Sequence, residues 1–318
     1  MGVINGVTQP PFFNDYLAIG TPFGLLTSPC SRVAAYVLSG GIWDGAPSEI
    51  RNALVTTLDA GLAKCRAGYQ DIVYALPGHA ENVTATTCIL ANQVAGAQVI
   101  GLGNGSYRPT FTFTATASQW NVTVSNMRFS NLAFVAAANG ITKAILFTGT
   151  DNTMDNCDFL CATSAALYAL IPVEVAAAAH RTTIARNVFR TTGATGAITE
   201  VINVAGASDL TKIIQNEFLV ANATSLVINV AAAVATNLVI ANNQIAVTAA
   251  TAAAVGVIIL GAAAMTGYVC SNYIYNVVAG NAFSGGITLG AGVLVGLWDN
   301  RNADEVVKSA VLTPAVGT

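Results

Sequence analysis

A six-residue phrase that opens and closes on an apolar residue recurs about every 29 residues, and this repeat constrains the fold more than any other feature. The copies are VSNMRF at 124–129, MDNCDF at 154–159, IARNVF at 184–189, IIQNEF at 213–218, IANNQI at 240–245 and VCSNYI at 269–274. The closing positions 129, 159, 189, 218, 245 and 274 are spaced by 30, 30, 29, 27 and 29. A fixed period of this length indicates stacked repeats. Seven or eight such units fit between Ile72 and Asn302.

The fourth place of the phrase is often asparagine. The members are Asn187, Asn216, Asn243, Asn272 and, in a last copy reading LWDN, Asn300. Asparagine tolerates the left-handed backbone region and bonds its own neighbours, so it suits a sharp corner between two strands. Stacked corners place identical amides above one another, where they can form a hydrogen-bonded ladder. We therefore predict that one repeat is one turn of a coil.

The segments between the corners have the composition of strands. Examples are KAILFTG, GAITEVINVAG, SLVINVAAAV, VGVIILGAA and GITLGAGVLVG, which are β-branched and separated by Gly, Asn or Ala-rich turns. The period is too long for a leucine-rich repeat, and the helix and leucine spacing of that repeat are missing. It fits three short strands per turn plus loops, with a rise of about 4.8 Å per turn. The prediction is an all-β solenoid with apolar residues stacked inside.

The chain before the first repeat carries a helical pattern. The segment from Pro47 to Cys65 is predicted to be a helix that covers the open end of the solenoid, with Ser48 as N-cap and Gly68 as stop. Its apolar face is Ile50, Leu54, Leu58, Leu62 and Cys65. The predicted organisation is an N-terminal arm at 1–43, a capping helix region at 44–68, a parallel β-helix at 69–302 and a C-terminal tail at 303–318.

The composition bears on whether the chain is a membrane protein or a nucleic-acid-binding protein. Hydrophobic residues make up 53% and charged residues 9%, and no charged residue occurs from Leu219 to Trp298. The best candidate for a membrane span is 251–270, but it is rich in Ala and Gly and no Lys/Arg cluster flanks it. Alternation in the other uncharged stretches favours strands. A net charge of −3 favours no nucleic-acid partner, and no signal peptide is recognised, so we expect folding where the chain is made.

Few residues are candidates for chemistry, and we assign no catalytic, cofactor-binding or metal-binding residue. Arg128 is predicted one turn below Asp158, and Glu217 two turns above it, about 10 Å away. A catalytic carboxylate pair is one interpretation of this column, which also holds Asp155 on the same coil as Asp158. A surface ion pair between Arg128 and Asp158, beside an unrelated carboxylate, is the interpretation we favour.

The other candidates are interpreted as structural. Cys157 and Cys161 form a lone C-x3-C, and all six cysteines are expected to be buried apolar residues rather than metal ligands. His79 is expected in a turn and His180 in a loop, with no Ser/Asp arrangement near either. The glycines of GLGNG at 101–105 are expected to form a corner, because no helix follows them.

Residues 44–83 resemble the opening of right-handed parallel β-helix proteins of the pectate-lyase-like superfamily, which include many phage tailspikes and other virion proteins. The matching features are an acidic-polar turn, the helical segment, the strand DIVYAL and the turn PGH at 77–79. The run VIGLGNGSYRPTFTF at 99–113 is similar to the second turn of these proteins, and the resemblance extends over 44–302. It implies a right-handed β-helix, and many relatives cleave polysaccharides with paired or triple acids on an outer face.

The remaining features point to assembly. Residues 1–43 combine prolines and aromatic residues, so we expect an arm that docks on another surface, with folding back along its own solenoid as the alternative. Small outward residues in the uncharged span predict a homo-oligomer, and the resemblance implies a trimer.

The leading hypothesis is a non-enzymatic bacteriophage virion protein that decorates or cements the capsid. It is made in the host cytoplasm, binds itself and the major capsid protein or another virion protein, and uses no cofactor, nucleic acid or membrane. The alternatives are a tail fibre or tailspike that binds or cleaves surface polysaccharide, and a secreted lyase or adhesin, which the missing export signal disfavours.

Overall fold

The computed structural model describes residues 3–4, 7–8, 32–40, 48–84, 91–161, 167–191, 198–220, 227–230, 234–247, 257–261, 264–276, 286–304 and 310–311. Over these residues the chain is a parallel β-solenoid of about 6 turns with 6% helix, which confirms the all-β solenoid predicted from the repeat. A complete turn contributes one strand to each of three sheets. Most of the predicted arm, including all of 9–31, lies outside the described residues.

The first sheet has eleven parallel strands. They are β3 (Val33–Val37), β4 (Leu54–Val55), β5 (Ile72–Ala75), β7 (Gln98–Gly101), β10 (Arg128–Ser130), β13 (Thr153–Asp155), β16 (Thr183–Ala185), β20 (Lys212–Ile214), β24 (Leu238–Ala241), β27 (Thr266–Cys270) and β30 (Leu294–Trp298). Each strand pairs with the corresponding strand of the next turn. The exception is at the N-terminal edge, where β3 lies between β4 and β5.

The second sheet has ten strands and the third has seven. The second contains β6 (Ala80–Val83), β8 (Thr110–Phe113), β11 (Ala133–Ala136), β14 (Asp158–Cys161), β17 (Val188–Arg190), β21 (Glu217–Val220), β25 (Gln244–Val247), β28 (Tyr273–Asn276), β31 (Arg301–Asp304) and β32 (Ala310–Val311). The third contains β9 (Trp120–Val122), β12 (Ile141–Phe147), β15 (Ala169–Val175), β18 (Ile202–Val204), β22 (Ile228–Val230), β26 (Ile258–Leu260) and β29 (Ile287–Leu289). All pairings in these two sheets are parallel except β31 with β32.

Four short strands lie outside the three large sheets, and one 3₁₀ turn is present among the described residues. The strands β1 (Val3–Ile4) and β2 (Val7–Thr8) form an antiparallel pair. The strands β19 (Ser208–Asp209) and β23 (Ala235–Thr236) pair in parallel, each between the third-sheet and first-sheet strands of its turn, and Ser208 and Ala235 are buried. The 3₁₀ turn covers Gly105–Tyr107.

The repeated phrase forms the corner between the first and second sheets. In its second copy, Met154 lies in β13 and Phe159 in β14, and Cys157 occupies the corner between them. Phe159 faces Phe189 of the next turn, as the repeat predicted.

The first copy of the phrase is out of step with the others. Phe129 lies in the first sheet opposite Met154, whereas Phe134 lies opposite Phe159. The turn from Phe134 to Phe159 has only 25 residues (159 − 134), so a search at a fixed period near 29 matches 124–129 to the wrong corner.

Aromatic rings fill the lower interior. The second sheet aligns Phe111, Phe134, Phe159, Phe189 and Phe218, followed by Ile245 and Ile274. The rings of Phe189 and Phe218, on consecutive turns, are stacked. Their centroids are 5.0 Å apart and their planes are nearly parallel. Trp120 of the third sheet packs against this file, 4.6 Å from the ring of Phe134. Each buried ring contributes roughly 1.5–3 kcal/mol by removing apolar surface from water.

The predicted asparagine ladder is confirmed. Asn216 Nδ2 donates to Asn243 Oδ1 at 3.1 Å, and Asn243 Nδ2 donates to Asn272 Oδ1 at 2.9 Å. The same contact joins Asn187 to Asn216 at 3.0 Å and Asn272 to Asn300 at 2.9 Å. All five side chains are buried. The ladder therefore satisfies a row of polar groups inside an otherwise apolar coil.

The backbone role predicted for these asparagines was wrong. The left-handed conformation belongs to the residue before each ladder position, with φ of 55° at Arg186, 57° at Gln215, 57° at Asn242, 52° at Ser271 and 49° at Asp299. The ladder residue itself follows the bend, which turns its amide inward. The asparagine is therefore selected by its side-chain bonds rather than by its tolerance of positive φ.

The N-terminal cap consists of two short helices instead of one. They are α1 (Ser48–Ala53) and α2 (Leu58–Leu62), and β4 lies between them. The helix breaks because Leu54 and Val55 pair with Tyr36 and Val37 of β3. The N-cap with a side-chain hydrogen bond is Thr57, whose Oγ1 accepts from the Ala60 N–H at 3.3 Å, whereas Ser48 is the first residue of α1.

Helix α2 packs closely on the first sheet. Leu58 and Leu62 are buried, whereas Ile50, Leu54 and Cys65 of the predicted apolar face are only half-buried. A Cβ on Gly61 would lie 2.9 Å from Val73 Cγ1, so this glycine allows the close approach.

Two further sequence expectations concern the ends of the coil and the membrane. Strand β3 belongs to the first sheet although its residues fall within the predicted arm, so the solenoid begins at Val33. The run at 251–270 contributes β26 and β27 rather than a long helix. In the described part of the chain, no helix has the length and apolar character needed to cross a membrane.

Candidate functional site

Asp155 is a buried carboxylate held between two arginines. It lies in β13, and its Oδ2 is 2.9 Å from Arg128 Nη2, which comes from the turn below. Its Oδ1 is 2.6 Å from Arg186 Nη2. The side chain of Asp155 is 1% exposed, whereas both arginines reach solvent. This arrangement places the negative charge of a buried carboxylate between two positive charges within the stack of turns.

The predicted pair between Arg128 and Asp158 is not formed. Asp158 Oδ2 is instead 2.8 Å from Arg108 Nη1. The cause is the short turn, because Ala133 rather than Arg128 lies opposite Asp158. The expected relation to Glu217 is correct in register, since Asp158 faces Val188 and Val188 faces Glu217.

Glu217 borders an open pocket of about 440 Å³ on the outside of the same corner. The other lining residues are Gln215, Asn216, Asn242 and Gln244. A single carboxylate among amides suits hydrogen bonding to a polar ligand more than acid–base chemistry, which needs a second ionisable group.

Glu174 on the third sheet and Glu200, just before β18, form a second pair of carboxylates. The sequence analysis did not identify this pair. Lys143 Nζ is 2.6 Å from Glu174 Oε1, and Asn203 Nδ2 donates to Glu174 Oε2 at 3.3 Å. The pKa of Glu200 is raised, chiefly by burial and also by the charge of Glu174, against a hydrogen bond from Asn229. The signal was present in the register, because Glu174, Asn203 and Asn229 align on consecutive turns.

His79 does lie at a turn, and the structure places a serine and a glutamate beside it, where the sequence had indicated no Ser/Asp arrangement. Its Nδ1 is 3.1 Å from Ser39 Oγ, and its Nε2 is 3.2 Å from Glu81 Oε2. The imidazole is buried and contacts the ring of Phe111 at 5.5 Å between centroids. Ser39 follows β3, forty positions before His79, so no local spacing could reveal the contact.

Backbone groups hold this cluster in place. Glu81 Oε2 also accepts the N–H of Leu58 at the start of α2, at 2.8 Å. The Ala80 N–H donates to Ser39 Oγ at 2.6 Å, and Ser39 Oγ donates to the Ala80 carbonyl at 2.5 Å. The serine, the imidazole and the carboxylate thus join β3, β6 and the cap.

The hydrogen bonds of the remaining candidate residues are with the backbone and fit a structural role. His180 Nδ1 accepts the Asp209 N–H at 3.1 Å in a surface loop. The glycines of 101–105 form the predicted corner, where Asn131 Nδ2 donates to the carbonyls of Gly101 at 2.7 Å and Gly103 at 3.0 Å.

The C-x3-C thiols are both buried. Burial raises the pKa of Cys157 to about 12 and that of Cys161 to about 11, so both thiols are protonated at neutral pH. A protonated buried thiol is a small apolar side chain and a poor metal ligand.

A group of large apolar side chains is exposed near the C-terminal end of the first sheet. This C-terminal patch comprises Tyr268, Leu294 and Trp298, which are 38%, 72% and 53% exposed. The rings of Tyr268 and Trp298 contact, with centroids 5.2 Å apart. Tyr273, on the adjoining second sheet, is exposed as well. Contiguous exposed aromatic side chains on strands without charged residues are typical of a binding interface.

Comparison with known proteins adds no family to this description. No protein-family model, curated protein or solved structure matches the chain.

Proposed function

We propose that this chain is an oligomeric structural protein, a β-solenoid shaft that decorates or cements the capsid of a bacteriophage and attaches through its N-terminal arm. The observation that carries the assembly role is the C-terminal patch. It lies within a stretch of 80 residues, from Leu219 to Trp298, that contains no charged side chain. The sequence resemblance of residues 44–83 to phage β-helix proteins supports a location on a bacteriophage particle.

The absence of charge favours contact between identical copies. Two copies that meet through this face bury the rings of Tyr268 and Trp298, and the strands β27 and β30 that carry the face contain no charged residue. In the lower turns, by contrast, Asp155, Asp158 and Glu174 are each paired with a basic side chain. These pairs support a structural role, because each of the three carboxylates is held by a basic side chain from another turn.

Solution mass tests the oligomer. The full chain is expected to sediment as an assembly, and a trimer would have three times the monomer mass of 32.5 kDa. The double variant Tyr268→Ser with Trp298→Ser should shift the population towards monomer without loss of β circular dichroism. Tyr107→Ser is the matched control, since Tyr107 is 69% exposed in the lower part of the coil. A wild-type monomer at micromolar concentration contradicts the proposal.

Truncation tests the attachment. The deletion should remove residues 1–31 rather than 1–43, because Arg32 Nε is 3.2 Å from Asp71 Oδ2 and β3 is part of the first sheet. The shortened chain is expected to keep its β circular dichroism and to be absent from purified particles. Full incorporation of the truncated chain would argue against attachment through the arm.

A polysaccharide-binding tail fibre or tailspike is a second candidate, and the pair Glu174 and Glu200 favours it. Glu174 is paired with Lys143, whereas burial and the charge of Glu174 raise the pKa of Glu200, so the two carboxylates have the unlike surroundings that an acid and a base need. Cleavage of capsule or lipopolysaccharide by the wild type that is lost in both Glu174→Gln and Glu200→Gln would favour this candidate over the decoration role. Glu217→Gln is the control for the separate amide-lined pocket.

A further inference from the structure

We propose that Ser39, His79 and Glu81 form a hydrolytic centre that cleaves small carboxylic esters, with Ser39 Oγ as the nucleophile. The three side chains are joined in sequence by hydrogen bonds of 3.1 Å and 3.2 Å through the two nitrogens of one imidazole. This is the order of roles that a serine nucleophile needs: hydroxyl, base and orienting carboxylate. The activity would be additional to the structural role and does not depend on it.

The hydrogen bonds assign the tautomer of the base. Glu81 Oε2 accepts the backbone N–H of Leu58 at 2.8 Å and lies 3.2 Å from His79 Nε2. A carboxylate only accepts, so the imidazole proton resides on Nε2. The lone pair of Nδ1 then faces Ser39 Oγ, where it can take the hydroxyl proton.

The hydroxyl has a backbone partner that stabilises negative charge on it. The Ala80 N–H donates to Ser39 Oγ at 2.6 Å. In the resting arrangement the hydroxyl proton is directed at the Ala80 carbonyl, 2.5 Å away, and rotation about the Cβ–Oγ bond redirects it to Nδ1 of His79. The N–H bond is retained in either position and favours the developing alkoxide.

Burial and access differ along the cluster in the way that a nucleophile requires. The imidazole is buried against Phe111, whereas Ser39 is exposed. The next residue, Gly40, has φ of +84°, and no described atom lies within 4 Å of the place where a Cβ would stand. An acyl group can therefore approach Oγ from solvent, and His79 Nδ1 lies 3.1 Å from that oxygen.

The reaction balances without a cofactor. Ser39 Oγ forms a bond to the carbonyl carbon of the ester and transfers its proton to His79 Nδ1. The bond between that carbon and the alkoxy oxygen breaks, and the imidazolium proton passes to this oxygen, which leaves as the alcohol. Water then attacks the acyl-serine with the imidazole as base, which releases the carboxylic acid and regenerates the hydroxyl.

A purely structural role for the same contacts is the competing explanation. Ser39 satisfies the backbone groups of Ala80 at the N-terminal edge of the second sheet, and Glu81 caps α2. A structural role predicts a loss of stability on substitution and no chemical reactivity at the serine. Reactivity and stability must therefore be measured on the same preparations.

The test uses the full chain with a fluorophosphonate probe and p-nitrophenyl acetate. Peptide mass spectrometry of the labelled wild type is expected to place the probe on Ser39. Ester turnover should fall by roughly 100-fold or more in Ser39→Ala and in His79→Gln. Ser125→Ala is the control, because Ser125 Oγ contacts Thr150 and no histidine, and it should retain full turnover.

Two outcomes would overturn the proposal. One is a wild-type chain whose Ser39 peptide is not modified by the probe, a result that requires no variant to fold. The other is turnover that is unchanged in Ser39→Ala while its circular dichroism matches the wild type. Failure here leaves the solution mass and particle tests unaffected.

Discussion

The lower and upper turns of this solenoid share one backbone path but are stabilised by different side chains. Below Val220, five phenylalanines from Phe111 to Phe218 stack in the second sheet, and buried acids such as Asp155 pair with basic residues across turns. Above it, isoleucines continue the file and the charges disappear from the outer surface until Asp299.

The corner between the first and second sheets holds different residues in the lower and upper turns. In the lower turns it holds Leu132 and Cys157, and from Asn187 upward it holds the amide ladder. The ladder begins where the Cys157 N–H donates to Asn187 Oδ1 at 2.9 Å. It overlaps the aromatic file over the turns of Phe189 and Phe218 and continues alone above them, so the coil keeps one geometry while its side chains change. The outer surface of the upper turns, from Leu219 to Trp298, carries no charge, which suits an interface.

The largest expected effect comes from breaking the ladder with Asn216→Ala. The change removes bonds to Asn187, to Asn243 and to the Ile184 carbonyl, and leaves buried groups unpaired. We expect a loss of roughly 4 kcal/mol or more in the free energy of unfolding, measured by urea denaturation. Asn104→Ala is the control, because Asn104 is exposed, makes no capping hydrogen bond with its side chain and has a φ of −133° that alanine also adopts. A loss below about 1 kcal/mol would show that the ladder does not stabilise the upper turns.

Removing a ring tests the lower turns. Phe189→Ala takes away a side chain that contacts Phe159 and Phe218 and leaves a cavity. The expected loss is about 3–4 kcal/mol in urea denaturation. Ile245→Ala, in the same file of the upper turns, is the matched variant and should cost about 2–4 kcal/mol. A negligible effect at Phe189 would refute the aromatic half of the comparison.

Removing a carboxylate should change the free energy of unfolding more in the lower turns than in the upper turns. Asp155→Asn removes the carboxylate between Arg128 and Arg186 and is expected to cost about 2 kcal/mol, because both arginines reach solvent and recover part of their hydration. Asp299→Asn removes an exposed acid 3.5 Å from Arg301 and should cost under about 0.5 kcal/mol. Equal effects in urea denaturation would contradict the proposed difference between the regions.

Acid should weaken the base of the coil. Burial alone would raise the pKa of Asp71, but hydrogen bonds from Arg66 and Arg32 lower it to about 2. Because the folded pKa lies below the ordinary value of 3.8, the contribution is complete above that value and is lost as pH falls towards about 2. Urea midpoints measured from pH 5 to pH 2 should show this decline, and Asp71→Asn should flatten it. An unchanged slope in the variant would assign the acid sensitivity elsewhere.

The smallest effect is expected at Glu200. Burial raises its pKa, so the folded state binds the proton more readily than the unfolded state does and the ionised group costs stability at neutral pH. Glu200→Gln should raise the urea midpoint at pH 7, by less than about 1 kcal/mol in free energy, and leave it unchanged near pH 3. A lower midpoint at pH 7 would mean that the carboxylate makes a net stabilising contact.

Local features of the sequence were sufficient to predict the coil and its ladder. The period and the asparagines identify the corner because every turn must bury the same position. The fixed period misplaced Phe129, since one turn is shorter and periodicity does not reveal where residues are removed. The cap was predicted as one helix because helical spacing in a segment does not show that Leu54 and Val55 can pair with β3.

The candidate sites were harder to predict than the fold. Ser39 and His79 are separated by forty residues, and Ser39 lies in a segment that carries no repeat. Their contact depends on how β3 enters the first sheet. The repeat could have aligned Glu174 with Asn203, which it faces in register. Glu200 precedes the strand of Asn203, so its approach to Glu174 depends on the path of the loop, which the repeat does not reveal.

Hydrogen exchange of asparagine side-chain amides, followed by NMR, tests the central claim most directly. The claim is that Asn187, Asn216, Asn243 and Asn272 donate Nδ2 hydrogens along one buried column. The account predicts that these amides exchange as slowly as the backbone amides of the adjacent strands, whereas the exposed Asn104 exchanges at once. Rapid exchange of all four ladder amides, with the strand amides still protected, would contradict it.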